Sequence, residues 1–137
     1  MKTEKYTFTI EMKVRDYECD LQGIVNNANY QHYMEHSRHE FLESLGVNFG
    51  KLHEQGIDAV VSKITIEYKI PLRSGDKFMV GINIRRNGFR IIFTQDIFRL
   101  SDNRLCTRGT VETVCLENGK LTRGDMFDEL FKGYFTE

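Results

Sequence analysis

Between Tyr6 and Val14 the even positions Tyr6, Phe8, Ile10, Met12 and Val14 are apolar, and the odd positions Thr7, Thr9, Glu11 and Lys13 are polar. Successive side chains on a strand point to opposite faces, so this alternation predicts a strand with one face on a core. The same period returns in Val60, Ile64, Ile66, Tyr68 and Ile70, set against Lys63, Thr65, Glu67 and Lys69, and again in Phe78, Val80, Ile82 and Ile84. A helix cannot satisfy a period of two, because its neighbouring side chains lie three and four residues apart. The chain must therefore bury one face of a sheet. The long segment with helical spacing, between the first two runs, is what can cover it.

That segment is predicted from Asn27 or Ala28 to Leu45. Tyr30, Tyr33, Met34, Ser37, Phe41 and Leu45 form one largely apolar stripe, with Ser37 its only polar member. Asn26, Asn27 and Asn29 crowd its start, where side-chain oxygens cap free N–H groups, and Gly46 stands where a left-handed residue ends a helix. Asp16 to Asn27, with Gly23, breaks the alternation and is loop. Phe49 to Gln55 predicts a short second helix ended by Gly56.

Turn chemistry divides the remainder. Pro71 closes the second strand, and Gly75-Asp76 turns the chain into the third. Asn87-Gly88 predicts a hairpin into a strand over Phe89–Leu100. Ser101-Asp102-Asn103 precedes a long strand from Leu105 to Glu117, and Asn118-Gly119 turns the chain once more. Phe127, Leu130, Phe131 and Tyr134 predict a short C-terminal helix. With no repeat, linker or low-complexity tract, the 137 residues predict a single domain over 1–137. Its class is α+β, an antiparallel sheet wrapped against one helix.

A formal net charge of −1 gives no bulk attraction to nucleic acid or anionic membrane, so a polyanion has to be met by a local basic cluster. No apolar run approaches the ~20 residues of a membrane span. Met1-Lys2-Thr3-Glu4-Lys5 lacks the apolar core of a signal peptide. Cys19, Cys106 and Cys115 show no C-x-x-C spacing, which predicts free thiols in a reducing, cytoplasmic setting.

The chemistry concentrates in Asp20-Leu21-Gln22-Gly23-Ile24-Val25-Asn26-Asn27-Ala28-Asn29-Tyr30. A carboxylate, a Gly-hinged turn and a helix start follow one another. Unpaired N–H groups at a helix start can hold the oxygen of a polarised carbonyl while a nearby carboxylate acts on its carbon. The pattern Asp-x-x-Gly-Ile-Val-x-x-x-Asn-Tyr, followed by Glu35 and Arg38, resembles the 4-hydroxybenzoyl-CoA thioesterase-like family of hotdog-fold acyl-CoA thioesterases. Tyr68-x-x-Pro71-x-x-x-Gly75-Asp76 adds to the resemblance, which covers nearly the whole chain.

The resemblance implies hydrolysis of an acyl-CoA thioester to a free acid and coenzyme A, without metal or organic cofactor. Asp20 would be the catalytic carboxylate, as nucleophile or as general base on water. Asp16 and Glu18 are nearby but do not match its distance to Gly23. The Asn27 backbone N–H would be the oxyanion donor, where many relatives carry His or Tyr. Gly23, Tyr30 and Glu35 are expected around the substrate. Arg85 and Arg86, before the Asn87-Gly88 turn, and Arg123, after Asn118-Gly119, match positions that hold coenzyme A phosphates, which suits the guanidinium fork. Charges flanking a hairpin otherwise simply stay solvated. The implied assembly is a homodimer at least, with a homotetramer expected.

Other readings stand beside this one. Val25-Asn26-Asn27 also looks like the plant-type acyl-ACP thioesterases, so an acyl-carrier-protein thioester is an alternative substrate. A non-catalytic acyl-CoA binder is another, although a binder gains nothing from a carboxylate beside an electrophilic carbonyl. His32-Tyr33-Met34-Glu35-His36 spells the H-x-x-E-H of some metalloproteases. His32, His36 and His39 fall opposite the apolar stripe, which predicts solvated histidines rather than a zinc site. Cys19 has no histidine base placed for it and is expected to be a packed thiol.

Overall fold

The computed structural model describes residues 3–136, so Met1 and Lys2 of the signal-peptide reading lie outside the described residues. The elements are β1 (Phe8–Lys13), α1 (Asn27–Ser44), α2 (Phe49–Glu54), β2 (Ile57–Tyr68), β3 (Lys77–Asn87), β4 (Arg90–Arg99), β5 (Arg104–Glu117), β6 (Lys120–Thr122) and α3 (Met126–Leu130). The strands pair antiparallel in the order β1-β3-β4-β5-β2, with β6 added to β5. The sheet curls around α1, which is the α+β hotdog arrangement.

The turns explain the registers. Asn118 and Gly119 both have positive φ, 52° and 79°, between paired Glu117 and Lys120, the geometry of a type I′ hairpin. The β3–β4 hairpin differs from its sequence signal by one residue. Asn87 pairs with Arg90, so the loop is Gly88-Phe89, with Gly88 at φ 62° in the first loop position. That is the glycine requirement of a type II′ turn. Strand β6 was not predicted. It pairs with Cys115–Glu117 of β5, beyond Val114, where β4 has ended.

Tyr30, Tyr33, Met34, Ser37, Arg38, Phe41 and Leu42 are the buried residues of α1. The predicted stripe holds except at its end, where Leu42 is buried and Leu45 only half-buried. Met34 is fully buried, and its sulfur would lie 2.5 Å from a Cβ added at Gly109. Gly109 therefore lets the helix close onto β5. Phe41 stacks on Phe131 with ring centroids 6.2 Å apart, so the segment after β6 caps the end of α1. Burying each such side chain is worth roughly 1.5–3 kcal/mol.

The buried amide of Gln95 is fully paired, as burial demands, whereas the buried Thr107 hydroxyl has no partner among the described residues. Gln95 of β4 is fully buried, and its Nε2 donates to the Met34 carbonyl at 2.9 Å and to Ser37 Oγ at 2.7 Å. Its Oε1 accepts from Arg38 Nη1 at 2.9 Å. The sheet ends in two edge strands, β1 and β2, and β2 leaves Val60, Val61 and Tyr68 exposed. No helix among the described residues is long and apolar enough to cross a membrane.

Candidate active site

The loop before α1 is a small hairpin of its own. Cys19 and Val25 form an antiparallel bridge. The Gly23 N–H donates to the Asp20 carbonyl at 3.0 Å, and the Asp20 N–H donates to the Ile24 carbonyl at 2.9 Å. Gly23 sits at φ 79°, which gives the three-residue loop of a tight turn followed by a left-handed residue. Asp20 is thereby held at the rim, exposed. Its Oδ1 accepts from the Gln22 N–H at 2.8 Å, and its other oxygen takes no donor among the described residues.

Glu18 anchors this loop to the helix. Its carbonyl accepts from the Asn26 N–H at 2.9 Å and from Asn29 Nδ2 at 2.8 Å. Its carboxylate, buried, accepts from the Tyr33 hydroxyl at 2.9 Å and from Arg15 Nη1 at 3.0 Å. Burial, and then the bond to Glu18, pushes the Tyr33 phenol well above its usual range, so it stays a donor.

At the helix start Asn26 is extended (ψ 135°), and its Oδ1 accepts from the Ala28 N–H at 3.0 Å. The Asn26 carbonyl takes the Asn29 N–H at 2.9 Å. These capping bonds leave the Asn27 N–H with no acceptor among the described residues. Asn27 lines a cleft of about 480 Å³ together with Asp20, Tyr30, Tyr68 and Lys69. Tyr30 is buried, its oxygen accepting the Leu72 N–H at 2.9 Å, which pins the segment after β2 to the helix. Tyr68 stands edge-on to Tyr30 at 5.4 Å and donates to the Asn27 carbonyl at 3.1 Å.

Asp20, Asn27 and Tyr30 thus share one cleft, with Gly23 shaping the turn beside it. Tyr68 and Lys69 join them. Neither was singled out for the site in the sequence, where Tyr68 entered only through the Tyr68-x-x-Pro71-x-x-x-Gly75-Asp76 resemblance. Glu35 is exposed and lines a different cavity, of about 360 Å³, farther along α1. Arg85, Arg86 and Arg123 line neither cavity. Arg85 stands eight residues beyond the start of β3, about 27 Å along the strand at roughly 3.4 Å per residue. Arg86 places Nε 3.3 Å from Asp128 and donates through Nη2 to the Arg123 carbonyl. Arg123 pairs with Asp125 at 3.0 Å.

His32, His36 and His39 are exposed. His32 meets Asn29 at 3.1 Å, His36 lies 3.6 Å from Glu40, and His39 packs on the Phe49 ring. Among the described residues no three His, Cys, Asp or Glu side chains converge as a metal site would require. Burial, helped by the Asp16 charge, pushes the Cys19 thiol up, which keeps it protonated and a poor nucleophile.

The family model of the thioesterase-like superfamily matches residues 14–131. The acyl-acyl carrier protein thioesterase ATL3 of Arabidopsis thaliana is 43% identical over 110 residues, 80% of this chain and 58% of that protein. The chain therefore spans less than two-thirds of the length of that relative. The acyl-CoA thioesterase YbgC of Haemophilus influenzae is 30% identical over 118 residues, 83% of this chain and 84% of that protein. Among solved structures, the AQ1494 protein of Aquifex aeolicus superposes with a TM-score of 0.82 at 31% identity, covering 91% of this chain and 99% of that one. The match of the family model over residues 14–131, with a relative 30% identical over most of both chains, leads to one conclusion: the chain belongs to the thioesterase-like superfamily.

Proposed function

We propose that the chain hydrolyses acyl thioesters, with Asp20 and the Asn27 N–H as its reacting pair. The observation that carries this is that Asp20, with one carboxylate oxygen taking no donor, and Asn27, with an unengaged helix-start N–H, line one cleft. The thioester carbonyl oxygen accepts from the Asn27 N–H, a bond that strengthens as negative charge develops on it. The Asp20 carboxylate takes a proton from water as the water attacks the carbonyl carbon, or attacks that carbon itself. In either course the C–S bond breaks, the thiol carrier leaves with a proton, and water supplies the second oxygen of the acid. Tyr30 and Tyr68 give the cleft an aromatic wall beside the reacting carbon.

Coenzyme A is the first carrier, supported by the relative named for acyl-CoA. An acyl carrier protein is the second, supported by the 43% identity to the plant enzyme named for that carrier. Arg85, Arg86 and Arg123 would hold coenzyme A phosphates from a neighbouring protomer, since within one chain they stand a strand's length from the Asp20 loop. A shared site of this kind needs a homodimer at least, and the expected assembly is a homotetramer. The free Cys19, Cys106 and Cys115 suit a reducing, cytoplasmic setting. Thiol release from aromatic, short-chain and long-chain acyl-CoA and acyl-carrier-protein thioesters tests the reading. Catalysed release from at least one is expected. Binding of acyl-CoA with no release from any would leave a binder and overturn the hydrolase.

A further inference from the structure

The second cavity, about 360 Å³, lies between α1, α2, the start of β2 and α3. Its walls are mainly apolar, including Leu42, Leu52, Val60, Ile91 and Phe127. Arg38 lines the same space at 7% exposure. Buried charges are normally paired, because removing an ion from water is costly. Gln95 is the only acceptor within hydrogen-bonding distance of Arg38 among the described residues, and it is neutral. Glu35, one turn earlier and exposed, forms no ion pair with it, and His39 is the other titratable side chain on the cavity. Desolvation accordingly lowers the Arg38 pKa from its ordinary value.

The guanidinium is also held in place. Gln95 fixes Nη1 while its own amide is bound to the Met34 carbonyl and Ser37 Oγ. Only part of the fork is used, and the rest of a planar, two-pronged donor is left for an anion. An apolar cavity of this size with one fixed cation matches an apolar body bearing a carboxylate.

We propose that this cavity binds the carboxylate of an apolar organic acid, with Arg38 as the anchor and Gln95 as its positioning residue. The acid could be the product of thioester hydrolysis, or a second carboxylate carried at the far end of an acyl group. The binding claim does not rest on the hydrolysis reading, because no bond is broken.

Calorimetric titration of the full chain with octanoate and with octan-1-ol tests it. Octanoate should bind about tenfold or more tightly than the alcohol, the scale of a charge-assisted pair. Arg38→Met should abolish that preference while the alcohol still binds. Equal affinity for acid and alcohol in the unaltered protein, or no binding of octanoate, overturns the proposal without touching the hydrolysis reading. Thiol-release kinetics separate the two sources. For a product site, octanoate inhibits and Arg38→Met relieves the inhibition. For a substrate carboxylate, Arg38→Met lowers kcat/KM about tenfold for a dicarboxylyl thioester and spares octanoyl-CoA.

Discussion

At the scale of single residues, the proposed oxyanion donor is a backbone group, which gives it an unusual mutational signature. Asn27→Ala keeps the N–H and should leave turnover nearly unchanged. Asn27→Pro removes the N–H, yet the first helical position is where proline is best tolerated, and Asn26 already has the extended ψ of 135° that a following proline requires. The proline variant should fold with unchanged helical circular dichroism and lose roughly 10²–10³-fold in kcat. Equal activity of the two variants would remove the Asn27 N–H from the mechanism. The resemblance named Asp20, Gly23, Asn27 and Tyr30, and turn and cap chemistry, acting over a few residues, brings Asp20, Asn27 and Tyr30 to one cleft. Tyr68, Lys69 and Glu18 were not legible as part of the site, because their neighbours come from tertiary closure. Glu18 looked like a spare carboxylate, and only the arrival of Tyr33 and Asn29 gives it its anchoring place.

At the scale of elements, the alternation and the turn residues laid out all but one strand, and Asn26 and Gly46 bracketed α1. The misses have physical causes. Arg38 is buried because its stem can lie along apolar surface while Gln95 receives its head, a pairing no periodicity reveals. Strand β6 exists only because β4 ends early and leaves the last part of β5 open. Packing of Tyr6, just before β1, onto β3 depends on a glycine. A Cβ at Gly81 would lie 2.6 Å from the Tyr6 ring, whose hydroxyl is tied to Asp96 at 2.8 Å. Gly81→Ala should therefore cost about 1–3 kcal/mol in denaturant unfolding, the scale of overpacking. The Asn26→Ala variant, which loses the cap on Ala28, should cost roughly 0.5–2 kcal/mol by the same measurement. An unchanged midpoint in either would contradict the contact assigned to it.

For the whole molecule, the open β2 edge and the distance of Arg85 from the Asp20 loop both argue for a site completed by a second protomer. The resemblance implied a homodimer at least, but alternation and turn chemistry do not say which edge would meet a second copy. Activity should fall with the dimer on dilution, and Val61→Lys on the exposed edge should produce an inactive monomer by sedimentation. Full activity from a demonstrated monomer would refute the shared site. If the arginines hold phosphate, Arg85→Ala should raise KM more than it lowers kcat, with the effect shrinking as salt rises. The most direct test of the central claim is the rate of thiol release by Asp20→Asn at saturating thioester. The substitution keeps size and hydrogen bonding but removes basicity and nucleophilicity. The account predicts a folded, substrate-binding protein slowed by roughly two to four orders of magnitude. Near-normal turnover in that folded variant would contradict it.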